Sequence, residues 1–117
     1  MTHTPTSILS RIADVLNQHI SDPDFSIPEF CECLDISRTH LHRKLIELTG
    51  ISTSHYIRQL RLERAKELLQ TTDLLVYEVA DQVGFRNVAY FSTSFLESFG
   101  CSPKELRRTR KTEQSLF

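Results

Sequence analysis

The chain of 117 residues contains no apolar run approaching the roughly 20 residues that span a bilayer, so no membrane helix is expected. It has no C-x-x-C, no H-x-x-x-H and no glycine-rich phosphate loop, and with these go the common metal and nucleotide signatures. No paired carboxylates or nucleophile-base spacing stand out either; neither an enzyme nor a cofactor is expected. The opening stretch, MTHTPTS, lacks a basic start followed by an apolar segment, so it does not read as a secretion signal and a cytoplasmic location is expected. Glycine is scarce: Gly50, Gly84 and Gly100 are the only three, and each falls where a helical pattern stops or turns.

Cysteine is equally sparse. Cys31, Cys33 and Cys101 are an odd number, which an intracellular chain would keep reduced. Two positions apart on a helix, Cys31 and Cys33 point to different faces, as do His40 and His42, so neither pair suits a shared metal. Cysteine as a small buried apolar filler is the favoured reading.

What the chain does have is helical periodicity. Ile8, Ile12, Val15 and Leu16 set the pattern near the start, and no stretch sustains the alternation of a strand. The expected fold is all-α, with helices at about 7–19, 27–34, 37–48, 52–70, 76–82, 87–98 and 103–109. Ser26 with Glu29 and Ser102 with Glu105 make Ser-x-x-Glu capping boxes, the second with Pro103 at the first helical position.

The pattern also repeats. Ile27, Phe30, Cys31, Leu34 and Ile36 lie 49 residues before Val76, Val79, Ala80, Val83 and Phe85. After one extra residue, Arg86, the offset becomes 50, pairing Leu41, Leu45, Gly50, Ser52 and Arg58 with Phe91, Phe95, Gly100, Ser102 and Arg108. LDIS, Leu34 to Ser37, reads as the tight turn of a helix-turn-helix, with Asp35 left-handed and Ser37 as the next cap; Gly84 and Asn87 hold those positions in the second unit. One domain is expected, with a first helix-turn-helix subdomain over 7–51, a linker helix over 52–70, a second subdomain over 71–109 and a tail over 110–117.

The linker carries two apolar stripes. Tyr56, Ile57 and Leu60 cluster on one side, whereas Leu62, Ala65, Leu68 and Leu69 cluster roughly 140° away at about 100° per residue. A helix packed on one core needs one stripe, so the displaced pair suits a helix whose halves complete different subdomains. An irregular stripe on a single core is the alternative.

The net charge of −1 hides an uneven distribution: residues 1–36 hold one basic residue against six acids, and residues 37–117 hold thirteen against nine. An anionic partner would meet the second portion. In Ser37–Gly50, Leu41, Leu45 and Leu48 form the inward stripe, which leaves Thr39, His42 and Arg43 on the opposite face, flanked by Arg38, His40 and Lys44. Arg can make a bidentate contact to guanine, His and Thr can bond base edges, and Lys can neutralise phosphate. A solvated helix face is the alternative. In Asn87–Gly100 the inward residues are Phe91 and Phe95, and the outward set is Val88, Ala89, Ser92 and Thr93, with no basic residue. Small apolar groups and hydroxyls can read bases, but they hold phosphate poorly; a protein-docking face is the alternative here.

The segments SRTHLHRKLIELTG, YIRQLRLERAKELL, EVADQVGFRNVAYFSTSFLESFG and SPKELRR together resemble the DNA-binding domain of the AraC/XylS family of bacterial transcription regulators, from about Asp24 to Arg108. The first unit and the linker look most like the output domain of hybrid two-component regulators. The resemblance implies two helix-turn-helix units whose third and sixth helices enter successive major grooves of double-stranded DNA. It implies base reading by Thr39, His42, Arg43, Val88, Ala89, Ser92 and Thr93, and backbone contacts by Arg38, His40, Lys44, Arg86, Asn87, Lys104 and Arg108. RNA polymerase is an implied partner, as is a sensing, receiver or dimerising domain outside these residues. Thr93 stands where Arg is common in the family, and Ile46, Leu96 and Glu97 stand where Lys is frequent.

Overall fold

The helical intervals of the sequence become seven α-helices in a computed structural model, which describes the backbone of residues 5–115 and the side chains of residues 8–110. They are α1 (Pro5–His19), α2 (Ile27–Leu34), α3 (Arg38–Thr49), α4 (Thr53–Thr71), α5 (Val76–Gln82), α6 (Val88–Phe99) and α7 (Pro103–Ser115). Among these residues there is no strand, as an all-α fold requires. The first four residues of MTHTPTS and the last two of the expected tail lie outside the described residues.

Two ends differ by more than one residue from the sequence reading. The first helix starts at Pro5 rather than at residue 7, with proline in the first turn where its missing N–H costs nothing. The last helix runs to Ser115, well into the stretch read as a tail. Its polar second half carries no apolar period, but it also contains no helix breaker. Arg110 fastens it through Nη1 to the carbonyl of Thr72 at 2.7 Å and to Asp73 Oδ1 at 2.9 Å.

Capping explains where most helices begin. The Ser26 hydroxyl oxygen accepts from the N–H of Glu29 at 3.3 Å and donates to Glu29 Oε1 at 3.1 Å, and Ser102 accepts from the N–H of Glu105 at 3.1 Å. At α5, where Leu75 has no polar side chain to offer, the Glu78 carboxylate reaches back to accept the Leu75 N–H at 2.9 Å.

The helices form two compact units, residues 1–60 and 61–117. In the first, Ile12, Leu16, Phe25, Phe30, Leu34, Leu41 and Leu45 make a buried cluster, against which Tyr56, Ile57 and Leu60 from the first half of α4 pack. In the second, Leu62, Ala65, Leu68 and Leu69 from the other half of α4 join Val79, Ala80, Val83, Phe85, Phe91 and Phe95. Each stripe of α4 therefore has its own core, and the irregular-stripe alternative falls.

Equivalent core positions trade volume. The first unit has its ring on α2, Phe30, opposite Leu41 and Leu45 of α3; the second has Val79 on α5 opposite Phe91 and Phe95 of α6. Large and small exchange places while the total is roughly kept, the substitution pattern that close-packed cores tolerate best. Cys31 is buried at 8% exposure and serves as the expected filler, whereas Cys33 is exposed, with its Sγ 3.9 Å from His19 Nε2. The filler reading therefore holds for Cys31 and fails for Cys33. No helix among the described residues is long and apolar enough to cross a membrane.

Candidate nucleic-acid interface

Each unit presents one helix through the same turn. After α2, Asp35 adopts φ 55°, ψ 45°, and the N–H of Ile36 bonds back to the carbonyl of Cys31 at 3.2 Å. After α5, Gly84 adopts φ 85°, and the N–H of Phe85 bonds to the carbonyl of Ala80 at 2.9 Å. A left-handed residue followed by this long return bond ends the helix and turns the chain within a few residues into the next one. Buried Phe85 and half-buried Ile36 then anchor the two turns at equivalent positions.

The displayed helices start on equivalent caps. Ser37 Oγ accepts from the N–H of His40 at 3.1 Å, and Asn87 Oδ1 accepts from the N–H of Tyr90 at 2.9 Å. Both end on a left-handed glycine, Gly50 with φ 79° and Gly100 with φ 75°, whose N–H returns to the carbonyl of Ile46 and of Leu96. The roots of α3 are Leu41 and Leu45, fully buried. Those of α6 are Phe91 and Phe95, with ring centroids 5.8 Å apart and each touching a further ring, Phe85 at 5.2 Å and Phe99 at 4.7 Å.

With those roots fixed, the opposite faces are open. Thr39, His42 and Arg43 are all exposed on α3, as the sequence reading required. On α6, Val88, Ala89 and Thr93 are exposed and Ser92 is half-buried. Arg38, Arg86, Asn87, Lys104 and Arg108 are exposed too. Asn87 already uses its Oδ1 as the cap, so the donors it can offer a partner are those of its amide N–H₂.

Two residues read as backbone contacts take a different position. Lys44 is half-buried, its Nζ 3.8 Å from Glu47 Oε2, and together with His40 it lines a cavity of about 190 Å³ shared with Ile8, Arg11 and Ile12 of α1. At about 100° per residue Lys44 lies well round the helix from Arg43, on the flank that turns toward α1. His40 shares that flank while remaining exposed. Leu48, read as an inward residue, is only half-buried.

Electrostatically, α3 breaks a local rule. Its first turn contains no acid and starts with Arg38, although the positive end of the helix dipole favours anions and disfavours cations there. Isolated stability does not explain a cation at that end; an anion approaching from outside would. The first turn of α6 has no acid either.

A protein-family model described as a helix-turn-helix domain matches residues 30–109. A transcriptional regulator described as AraC-type, from Chromobacterium violaceum, superposes with a TM-score of 0.83 at 28% identity, over 90% of this chain and 93% of that one. The chain belongs to the AraC-type helix-turn-helix family. The C-terminal domain of AraT, a response regulator from Geobacillus stearothermophilus, is 37% identical to this helix-turn-helix chain, with a TM-score of 0.78 and coverage of 88% and 85%. The DNA-binding domain of AdpA, in a crystal with its target DNA, gives a TM-score of 0.80 at 26% identity, covering 92% and 96%. Among curated proteins, the transcriptional activator RhaR of Enterobacter sp. strain 638 is 37% identical over 105 residues, 89% of this chain and 36% of that protein. This helix-turn-helix chain spans between 30% and 36% of the length of the first activators it matches.

Proposed function

We propose that this chain binds double-stranded DNA sequence-specifically, with α3 and α6 each entering a major groove, and thereby regulates transcription. The observation that carries the reading is the pair of exposed faces, Thr39–His42–Arg43 and Val88–Ala89–Thr93, held out by the same turn and the same cap in a chain of this family. An α-helix fits the major groove, and these side chains supply donors, acceptors and methyl contacts at base edges. Arg43 is the proposed guanine reader. Arg38, Arg86, Asn87, Lys104 and Arg108 are the proposed backbone contacts, and His40 and Lys44 act from the flank of α3, where they reach phosphate less directly.

The two helices contribute unequally. Basic α3 anchors, while α6 offers hydroxyls and small apolar groups and so reads shape and methyls more than charge. RNA polymerase is the proposed protein partner, and the cytoplasm the proposed location. A sensing, receiver or dimerising domain is the proposed further part of the protein, for which the likeness to the C-terminal domain of a response regulator favours a receiver. A second reading, a protein-docking face on the second unit, draws support from the exposure of Leu75, Tyr77, Val88, Tyr90 and Leu96.

Selection from random duplex DNA tests the proposal. Recovery of a common sequence, bound with an affinity that falls steeply with salt, is the expected result. Recovery of unrelated sequences with salt-insensitive affinity would favour docking.

A further inference from the structure

Ile46 and Leu96 are 44% and 47% exposed, too open to serve either core. They occupy the same place in the repeat, 50 residues apart, and each is the residue whose carbonyl receives the closing glycine N–H. With Thr39 set at 0° and an advance of about 100° per residue, His42 falls near 300°, Arg43 near 40° and Ile46 near 340°; buried Leu41 and Leu45 fall near 200° and 240°. Ile46 is thus at the centre of the outward face, between His42 and Arg43, one turn further along the helix. The same construction from Ala89 centres Leu96 between Ser92 and Thr93.

A single exposed aliphatic residue is ordinary on a protein surface and asks for no explanation. Two at one register of a duplicated helix, each in the middle of the face turned to the partner, are different. A branched aliphatic group there can neither neutralise phosphate nor bond a base edge. What it can meet in a major groove is the 5-methyl group of thymine, the one apolar feature on that edge.

We infer that Ile46 and Leu96 are specificity-determining residues that contact thymine methyl groups, one in each half of the DNA site. The inference rests on the DNA reading of the two faces and adds to it a base preference. Thymine recurs in each half of the target, on the side reached by the third turn of the recognition helix, about 10 Å along α3 or α6 from Thr39 or Ala89. Neither contact depends on charge, so both survive at salt concentrations that weaken the Arg and Lys contacts.

Replacing thymine by deoxyuridine removes the methyl group and leaves pairing intact. Each thymine of a selected duplex is substituted in turn and titrated against the parent chain, Ile46→Ala and Leu96→Ala, all first checked by melting. For the parent, one or two substitutions per half lower affinity about fourfold, the value of one buried methyl group. Ile46→Ala loses that sensitivity in one half only and Leu96→Ala in the other, each binding the unsubstituted duplex no better than the parent binds the uracil form. Uracil sensitivity that persists unchanged in both variants, or its absence in the parent, overturns the inference while leaving specific binding intact. A parent that prefers no duplex over another overturns the DNA reading, and the inference with it. Ile46→Lys provides a second variant: it steepens the salt dependence while abolishing the uracil effect in its half, and a retained uracil effect counts against the methyl contact.

Discussion

Thr93→Arg copies the cation of the first unit into the second, because Thr93 stands 50 residues after Arg43 on the corresponding face. Thr93 is exposed and turned away from buried Phe91 and Phe95, so the longer side chain meets no core atom and the melting temperature should hold. The parent α6 has no basic residue between Val88 and Phe99. A guanidinium there gains one phosphate contact, on the order of 1 kcal/mol or about fivefold in affinity, and releases one counterion, which steepens the salt slope by about one unit. If it instead finds guanine, the gain approaches 1–3 kcal/mol on the matching sequence alone. Fluorescence anisotropy of parent and variant on one selected duplex, at several salt concentrations, reads both quantities. A folded variant with unchanged affinity and unchanged slope would mean that α6 does not approach DNA, and the docking reading of the second unit would replace the present one.

Other outcomes follow from the same geometry. Arg43→Ala should lose about 1–3 kcal/mol on the selected sequence and relax preference at one or two base pairs; equal weakening on every sequence in a mutated-site series would make Arg43 a phosphate contact. Leu69→Ala, at a fully buried position, should destabilise the second unit by about 2–5 kcal/mol, and Leu60→Ala, half-buried, should loosen the first by less; hydrogen exchange that reports identical changes in both units for both variants would contradict the separate cores. Gly84→Ala places a Cβ at φ 85° and should cost about 1–2 kcal/mol in thermal melts, whereas Asp35→Gly at φ 55° should cost far less or stabilise; equal costs would contradict a left-handed residue at both turns.

Much of this architecture was legible because the signals were local. Ser26, Ser37, Asn87 and Ser102 cap where their side chains predict, and the 140° step between the stripes of α4 announced two cores before either was seen. The extension of α7 was not legible, since a polar run with no apolar period looks the same whether helical or not, and the bond from Arg110 to the Thr72 carbonyl is 38 residues long in sequence. At the site, the sequence places Lys44 on α3 without showing its surroundings: it is half-buried, beside Glu47 and a cavity shared with α1. Ile46, which the sequence reading does not include in the outward set, falls by its helical phase between His42 and Arg43. Residue type suggests a partner, while helical phase and burial show which side chains are exposed.

The central claim, that both displayed helices read DNA, is tested most directly by scrambling one half of a selected site at a time and titrating the chain against each duplex at a fixed salt concentration. Each mismatched base pair costs about 1–3 kcal/mol in a specific site, so scrambling either half should lower affinity at least tenfold, and scrambling both should leave only the salt-dependent, sequence-independent binding. Equal affinity for the intact and the doubly scrambled duplex would contradict the account, and loss from one half alone would leave a single reading helix.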